Sequence, residues 1–257
     1  MTSDLRLLVT GAGGRMGREV IEAAAARETV TIVAAVNRTE TDPIAGVTVA
    51  DAARLPELLS TVDPDVLVDF TGPESATAYA ESAAAADVAV VTGTTGFDAD
   101  GIGRLREASE SVPVMKAANF ARGVAALRRA VREAIAAVPE YDIELTETHH
   151  NGKRDAPSGT AKTLIGDVEA VRDDLEDRVH GREGDAPREA GEIGVHARRA
   201  GDVTGEHEVL LAGNRETVEL THRAGDRGVF AEGALDAAAW LSDREAGWYE
   251  FDDVLDE

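Results

Sequence analysis

Hydrophobic and polar positions follow one pattern in the first half of the chain. Short apolar runs alternate with alanine-rich stretches of helical composition, as in LRLLVT (5–10) before REVIEAAAA (18–26). The other apolar runs are TVTIVAAV (29–36), GVTV (46–49), DVLVDF (65–70), DVAVV (87–91) and VPVMKA (112–117). Helices are predicted over 73–86, from Asp98, and over 124–138. Because parallel neighbours need crossovers, this alternation predicts an α/β fold with a Rossmann-type, doubly wound parallel sheet.

The pattern changes near residue 140. YDIELTETHH (141–150) alternates apolar and polar residues, and after a helix predicted over 160–171 three similar runs follow. They are EIGVHARRA (192–200), EHEVLLA (206–212) and ETVELTHRA (216–224). Gly213 and Asn214 tolerate positive φ and predict a tight hairpin between the last two runs. We therefore expect a second, α+β domain over 121–227 with a largely antiparallel open sheet. The first domain would combine 1–120 with 228–257, where a helix pattern returns at Phe230.

Composition narrows the classes of function. The formal net charge is -23, and 49 acidic residues are spread along the chain, which argues against a nucleic acid or an anionic membrane as partner. No apolar run reaches the roughly 20 residues that cross a bilayer, so a soluble, cytoplasmic protein is expected. The absence of cysteine excludes disulfides, thiolate metal sites and cysteine nucleophiles. The acidic, lysine-poor composition is similar to that of proteins from salt-loving organisms, the alternative being an ordinary acidic bacterial protein.

A glycine-rich turn follows the first predicted strand. Gly11, Gly14 and Gly17 give the spacing G-x-x-G-x-x-G, whereas the strict G-x-G-x-x-G fingerprint would need glycine at Met16. Glycines let backbone N–H groups approach a pyrophosphate, and the positive end of the following helix dipole favours that anion. Arg15 adds positive charge. The turn therefore predicts a dinucleotide site.

Three further stretches lie at the carboxyl ends of predicted strands, where ligands of open α/β sheets bind. The second strand ends in Asn37 and Arg38 instead of the usual carboxylate. Asn37 can hydrogen-bond a ribose, and Arg38 can pair with a 2′-phosphate, which favours use of NADPH as well as NADH. A surface arginine in a polar loop is the alternative for Arg38. The other two stretches are Gly93-Thr94-Thr95 and Lys116 to Phe120.

THHNGKRDAPSGTAK (148–162) gathers the remaining chemistry, and we expect it at the join between the domains. It contains two adjacent histidines followed by the cations Lys153 and Arg154, and Ser158 is a predicted N-cap before Gly159 and Thr160 open a helix. A helix start can bind a carboxylate, so the stretch predicts an anion pocket with a general acid inside it. Because adjacent strand residues point to opposite faces, at most one of His149 and His150 is expected to be catalytic.

Motifs in this order are similar to those of the dihydrodipicolinate reductase family, which acts in the diaminopimelate route to lysine. They are GAGGRMGR, DFTGPE, GTTGF, AANF, HHNGKRDAPSGTA, GREG, RAGDVTGEHEV and THRAGDRGVFAEGAL, and together they span the chain. The resemblance implies NADPH- or NADH-dependent reduction of 4-hydroxy-tetrahydrodipicolinate, a small cyclic dicarboxylate, to tetrahydrodipicolinate. It also implies a homotetramer, assembled through the second domain, which would bind the substrate.

The resemblance assigns roles to individual positions. His149 is the expected proton donor or acceptor and Lys153 the proton donor. The substrate-binding residues are His150, Ser158, Gly159 and Thr160. The expected cofactor residues, with Asn37 at the ribose and Arg38 added as the candidate partner of a 2′-phosphate, are Gly11, Ala12, Gly13, Gly14, Arg15, Met16, Asn37, Arg38, Gly93, Thr94, Thr95, Ala117, Ala118, Asn119, Phe120 and Arg227. No metal ligand is expected.

Two alternatives stay open at this point. Homoserine dehydrogenase, another Rossmann oxidoreductase, lacks a cluster like HHNGKRDAPSGT, and aspartate-semialdehyde dehydrogenase is excluded because it needs a cysteine nucleophile. A nucleotide-sensing regulator would keep the fold without turnover. The presence of both His149 and Lys153 favours the enzyme.

Overall fold

The computed structural model describes residues 4–255. The chain divides into two compact units: the first combines the chain up to Phe120 with the segment from Arg227 onward, and the second is Ala121–Asp226. Among the described residues, no helix has the length and apolar character that crossing a membrane requires.

Within residues 4–255, the two units contain twelve strands and seven α-helices. The strands are β1 (Leu5–Thr10), β2 (Val30–Asn37), β3 (Val49–Asp51), β4 (Val66–Asp69), β5 (Ala89–Thr92), β6 (Pro113–Lys116), β7 (Asp142–His149), β8 (Asp177–Val179), β9 (Glu192–Arg199), β10 (Glu206–Gly213), β11 (Glu216–Arg223) and β12 (Gly247–Tyr249). The helices are α1 (Arg15–Ala25), α2 (Leu55–Thr61), α3 (Pro73–Ala84), α4 (Ala99–Ser109), α5 (Arg122–Ala137), α6 (Gly159–Val171) and α7 (Gly228–Leu241). The predicted helices are confirmed: α1 begins three residues before the stretch 18–26, and the other stated ends agree within two residues, whereas α2, β8 and β12 had no predicted counterpart.

The first unit is the predicted doubly wound fold. Its seven strands are all parallel in the order β12-β6-β5-β4-β1-β2-β3. Strands β4 and β5 are buried along their whole length, since helices cover both faces of such a sheet. The order reverses between β1 and β4, so the carboxyl ends of these strands form the crevice where ligands of such sheets bind.

The second unit contains a five-stranded sheet in the order β11-β10-β7-β9-β8. The α+β fold is confirmed, but the expectation of antiparallel pairing fails at β9, which runs parallel to both β7 and β8. The reason is the connection: α6 lies between β7 and β9 and provides the crossover that parallel strands need. One face of the sheet is covered by α5 and α6 in a core around Ile143, Leu145, Leu164 and Val209.

The predicted hairpin forms, but its turn is displaced by one residue. Gly213 pairs with Glu216, and the two turn residues are Asn214 and Arg215, with φ of 47° and 67°. Positive φ at both positions fits a type I′ turn, which matches strand twist. Gly213 is needed for space, because a Cβ atom there would lie 2.6 Å from the Tyr141 ring.

Candidate active site

The glycine turn of the first unit is held in a tight arc between β1 and α1. Gly11 has φ of +70°, and its carbonyl accepts the N–H of Gly14 at 2.9 Å. A Cβ at Gly17 would lie 2.2 Å from the same carbonyl oxygen, so α1 can approach only with glycine there. No side chain caps the start of α1. This leaves backbone donors and the positive dipole end for an anion.

Asn37 and Arg38 lie beside this turn. A Cβ at Gly13 would lie 2.5 Å from Asn37 Nδ2, so the turn and the end of β2 are in close contact. Asn37 Nδ2 donates to Thr39 and Thr41 at 2.9–3.0 Å, which commits its N–H groups to its own loop and leaves Oδ1 as an acceptor. A cavity of about 190 Å³ opens at this point. It is lined by Gly11, Gly14, Asn37, Arg38, Phe70, Thr71, Gly72 and Tyr79.

A buried carboxylate that sequence reasoning missed lies under these loops. Asp69, at the end of β4, has no exposed surface, and four threonine hydroxyls donate to it. They are Thr10, Thr71, Thr92 and Thr94, at 2.7–2.8 Å. Thr94 Oγ1 also accepts the N–H of Thr71 at 3.0 Å. The network joins the ends of β1, β4 and β5, and only the strand order brings its members together.

The other predicted cofactor residues follow neighbouring strands. Gly93 packs closely against Phe70, since a Cβ there would lie 2.0 Å from the ring. The buried ring of Phe120 packs edge-on against Phe70 and Phe251. Thr95 follows β5, and Ala117, Ala118 and Asn119 follow β6. Arg227 directly precedes α7, where its carbonyl accepts the N–H of Phe230; its contact with a ligand stays a prediction.

In the second unit, His149 ends β7 and is bonded to a buried carboxylate. Its Nδ1 lies 2.5 Å from Oε2 of Glu147, which has no exposed surface. Residues 147 and 149 are two apart on one strand and therefore share its inner face. Arg199, at the end of β9, donates to both carboxylate oxygens of Glu147 at 2.8 Å. His150 lies just after the strand and is half-exposed.

Lys153 is connected to the same group through the loop before α6. Its Nζ lies 2.9 Å from Oδ1 of Asp155. The backbone carbonyl of Asp155 accepts a further hydrogen bond from Arg199, at 2.6 Å. Arg199 therefore contacts both the carboxylate behind His149 and the loop that carries Lys153.

The start of α6 completes the cluster. Ser158 caps the helix as predicted, because its Oγ accepts the N–H of Ala161 at 3.1 Å, while its own N–H donates to Glu147 at 3.0 Å. Ser158 Oγ also lies 3.1 Å from Nε2 of His207, on β10. The ring of His207 packs edge-on against His149 with centroids 5.2 Å apart. Gly159 and Thr160 follow as the first helical residues.

Burial and pairing set the charge states here. Burial lowers the pKa of His149, and the hydrogen bond to Glu147 offsets only part of this effect. Burial alone would raise the pKa of Glu147, but hydrogen bonds from Arg199 and His149 bring that pKa below its usual range. Burial lowers the pKa of His207 to about 3. At neutral pH both histidines are therefore neutral and Glu147 is ionised.

Sequence reasoning located His149, Lys153 and Ser158 but missed their supports. Glu147 had a recognisable signal, a carboxylate two residues before the histidine on the same strand face. Arg199 and His207 stand in the motif RAGDVTGEHEV, but no local pattern placed them beside His149, since they approach from β9 and β10 and depend on the strand order.

Comparisons with known proteins identify relatives over nearly the whole chain. Residues 5–120 match the family model of the dihydrodipicolinate reductase N-terminus and residues 123–255 that of its C-terminus. The chain is 55% identical to a 4-hydroxy-tetrahydrodipicolinate reductase of Natronomonas pharaonis, over 98% of this chain and 100% of the relative. It is 52% identical to one of Haloarcula marismortui, over 98% and 99%. Both come from halophilic archaea, in agreement with the acidic composition.

A solved structure shares the fold. A dipicolinate-bound dihydrodipicolinate reductase from Paenisporosarcina sp. TG-14 gives a TM-score of 0.79 at 24% identity, covering 96% of this chain and 97% of that one. With both family models matched in order, the chain belongs to the dihydrodipicolinate reductase family.

Proposed function

We propose that the chain catalyses the NAD(P)H-dependent reduction of 4-hydroxy-tetrahydrodipicolinate to tetrahydrodipicolinate in the diaminopimelate route to lysine. The observation that carries the proposal is the cluster in the second unit. There a lysine and a neutral histidine are tied, through Glu147 and Arg199, to the start of α6. The relatives named for this activity support it.

The cluster suits a ring that carries two carboxylates. The dipole of α6 favours a carboxylate at its N-terminus. Among the described residues, apart from its chain neighbours and the backbone of its own helix, no atom lies within 4 Å of where a Cβ of Gly159 would be, so an anion can approach the backbone there. The resemblance assigns His150 and Thr160 to the substrate as well, and His150 is partly exposed just after β7. Lys153 adds a full positive charge to the field that a dianion meets.

The reaction consumes the substrate, NAD(P)H and one proton, and yields the product, NAD(P)⁺ and water. Water leaves the 4-hydroxy compound to give a conjugated ring, which gains a hydride at one carbon and a proton at its neighbour. When bound, the reduced nicotinamide supplies the hydride. The ammonium of Lys153 stabilises the developing negative charge and donates the proton. After Lys153 has donated its proton to the ring, His149 relays a replacement proton from solvent to it. His149 takes this proton up on Nε2, because its Nδ1 is committed to Glu147.

The glycine turn of the first unit fits a dinucleotide, because its close packing requires glycine and the uncapped start of α1 leaves backbone N–H groups for a pyrophosphate. Asn37 Oδ1 would accept a hydrogen bond from a ribose hydroxyl, and Arg38 would form an ion pair with a 2′-phosphate. We infer that both NADH and NADPH are used, with the other cofactor residues as assigned from the sequence.

The direct test is oxidation of NADH or NADPH by the purified chain in molar KCl, started with the condensation product of pyruvate and aspartate semialdehyde. Oxidation that requires this substrate and is inhibited by pyridine-2,6-dicarboxylate is the expected result. Cofactor binding without substrate-dependent oxidation would favour a nucleotide-binding regulator and contradict the proposal.

We further infer a homotetramer in the cytoplasm, assembled through the second unit. Strand β11 is an edge of its sheet, with β10 as its partner among the described strands, and an unpaired edge is available for pairing with another copy. Light scattering of the purified chain in 2 M KCl should give four times the chain mass of 27.0 kDa, and a monomer mass would contradict this assembly.

A further inference from the structure

The carboxylate of Glu147 connects three separate parts of the second unit. Oε1 accepts the Ser158 N–H at the start of α6, Oε2 contacts His149, and Arg199 binds both oxygens. We propose that Glu147 and Arg199 form a positioning pair. The pair fixes the proton of His149 on Nδ1 and holds the Lys153 loop and the start of α6 in fixed positions relative to His149. The inference rests on the proposed function and extends it to two residues that do not touch the substrate's reacting atoms.

The first step of the argument concerns the proton on His149. An ionised carboxylate only accepts hydrogen bonds, so the nitrogen 2.5 Å from Glu147 must carry the hydrogen. The neutral ring then presents an open lone pair at Nε2. A Cβ at Gly205 would lie 3.2 Å from that nitrogen, so glycine keeps its surroundings open. Glu147 thus selects the tautomer that the proposed proton transfer needs.

The second step concerns Arg199. A planar guanidinium that meets both oxygens of one carboxylate is fixed in orientation as well as in position. The same Arg199 side chain donates to the Asp155 carbonyl, and the Asp155 carboxylate binds Lys153. The Lys153 loop is therefore attached to the group that holds His149. Lysine at position 199 would keep the charge but lose the pair of parallel hydrogen bonds to the two oxygens of Glu147.

The third step concerns charge around the imidazole. Glu147 from β7, Arg199 from β9, His207 from β10 and Lys153 from the following loop face His149 or act on it electrostatically. Glu147 is the one anion in this set. Its removal lowers the pKa of His149 further, because the hydrogen bond and the attraction that favour the imidazolium are lost while the two cations stay.

The main variant is Glu147→Gln, which keeps the shape and removes the charge. We expect kcat to fall about 10²-fold, in the range for a misplaced general base, with little change in the KM for NAD(P)H. The limb of the kcat/KM profile that belongs to His149 should move to lower pH. A purely structural defect would reduce activity at every pH without moving this limb.

Nitrogen NMR of histidine-labelled protein gives a readout that needs no turnover. The wild type should show His149 as a single tautomer with the hydrogen on Nδ1, its signal assigned by its loss in His149→Asn. In Glu147→Gln the signals should shift toward a mixture of tautomers. Arg199→Met combined with Glu147→Gln should lose no more kcat than the worse single variant, since residues that act as one unit are not additive.

Glu144→Gln is a matched control. Glu144 lies on the same strand, on the opposite face, and also contacts an arginine and a histidine, Arg188 and His196. The Glu144→Gln variant should keep the kcat of the wild type and the same His149 limb in the pH profile of kcat/KM. If Glu147→Gln does not fold, Arg199→Lys replaces it. We expect a loss of about tenfold in kcat, while His149 keeps its hydrogen on Nδ1 because the Glu147 carboxylate remains, and an unchanged kcat would overturn the pair.

The outcomes separate the two proposals. An inactive wild type would contradict the proposed function, while the tautomer of His149 would still test the pair. An active wild type with Glu147→Gln at near-normal kcat and an unmoved pH limb would overturn the pair. Equal loss of activity in Glu144→Gln would also overturn it, because the effect would then belong to the strand as a whole.

Discussion

The two units stabilise a buried carboxylate with different kinds of partner. In the first unit, Asp69 is held by four neutral hydroxyls, whereas in the second, Glu147 is held by an arginine fork and a histidine. All six histidines of the chain lie in the second unit. Hydroxyl donors fix the geometry of a carboxylate without taking up or releasing protons near neutral pH. A buried carboxylate is therefore evidence of proton chemistry only when its partners titrate.

Loss of the Lys153 ammonium should give the largest effect. We expect Lys153→Ala to reduce kcat by roughly 10²–10⁴-fold, because the proposed general acid is lost. If the two units divide the work as the comparison indicates, the affinity for NADH should stay unchanged. Steady-state kinetics and a fluorescence titration with NADH measure the two quantities.

Lys153→Arg separates charge from proton donation. Arginine keeps a cation beside Asp155 but does not deprotonate in proteins, so it should bind pyridine-2,6-dicarboxylate while kcat stays low. Near-normal kcat in either variant would remove Lys153 from the role of proton donor.

Much of the first unit could be predicted from the sequence, because its information is local. Strands and helices alternate in fixed order, and the glycine turn marks where the first strand meets the first helix. The Asp69 network could not be predicted this way. Its donors stand at positions 10, 71, 92 and 94, and no local pattern shows that β1, β4 and β5 are neighbours.

The second unit shows the same limit more sharply. His149 and Lys153 stand in one specific stretch and could be read directly. Arg199 depends on the pairing of β9 with β7, and alternation of apolar and polar residues does not distinguish parallel from antiparallel strands. The error in strand direction and the missed arginine therefore have one cause.

Removal of the Asp69 carboxylate tests the architectural role of the first unit. In Asp69→Ala the buried hydroxyls of Thr10, Thr92 and Thr94 lose their acceptor. An unsatisfied buried group costs about 1–3 kcal/mol, and the low end applies here because hydroxyls can rotate. For three hydroxyls we therefore expect a loss of about 3 kcal/mol in the free energy of unfolding. Urea unfolding followed by tryptophan fluorescence reports on this unit, which holds both tryptophans, Trp240 and Trp248.

Asp98→Ala is the reference variant against which the loss in unfolding free energy is compared. Its side chain caps α4 through one hydrogen bond from Gly101, and loss of such a cap costs about 1 kcal/mol. If Asp69→Ala were no more destabilising than Asp98→Ala, the four hydroxyl bonds would not be a principal support of the sheet edge.

Acid should weaken the second unit through His207. Its pKa is about 3 in the folded chain and near 6.5 when unfolded, so below pH 6.5 the unfolded chain binds a proton that the folded chain does not. This contribution to stability is complete above pH 6.5 and falls by up to about 1.4 kcal/mol per pH unit, or roughly 2 kcal/mol at pH 5. In His207→Asn that part of the slope should disappear. Urea unfolding at pH 7, 6 and 5, followed by circular dichroism, compares the slopes; parallel curves would show that His207 gains its proton in the folded state.

The smallest expected effect concerns Arg38, an exposed cation, in contrast to the partly buried Arg199. We expect Arg38→Ala to raise the KM for NADPH about fivefold at 0.2 M KCl, as for an exposed ion pair, and to leave the KM for NADH unchanged. At 2 M KCl the Debye length is below about 3 Å, so the effect of Arg38→Ala on the KM for NADPH should vanish. The effect of Arg199→Lys on kcat should persist, because its partner Glu147 is shielded from solvent. Circular dichroism at both salt concentrations controls for folding. An equal rise in both KM values would place Arg38 away from the 2′-phosphate, and salt dependence of the Arg199→Lys effect would show that the pair with Glu147 is open to water.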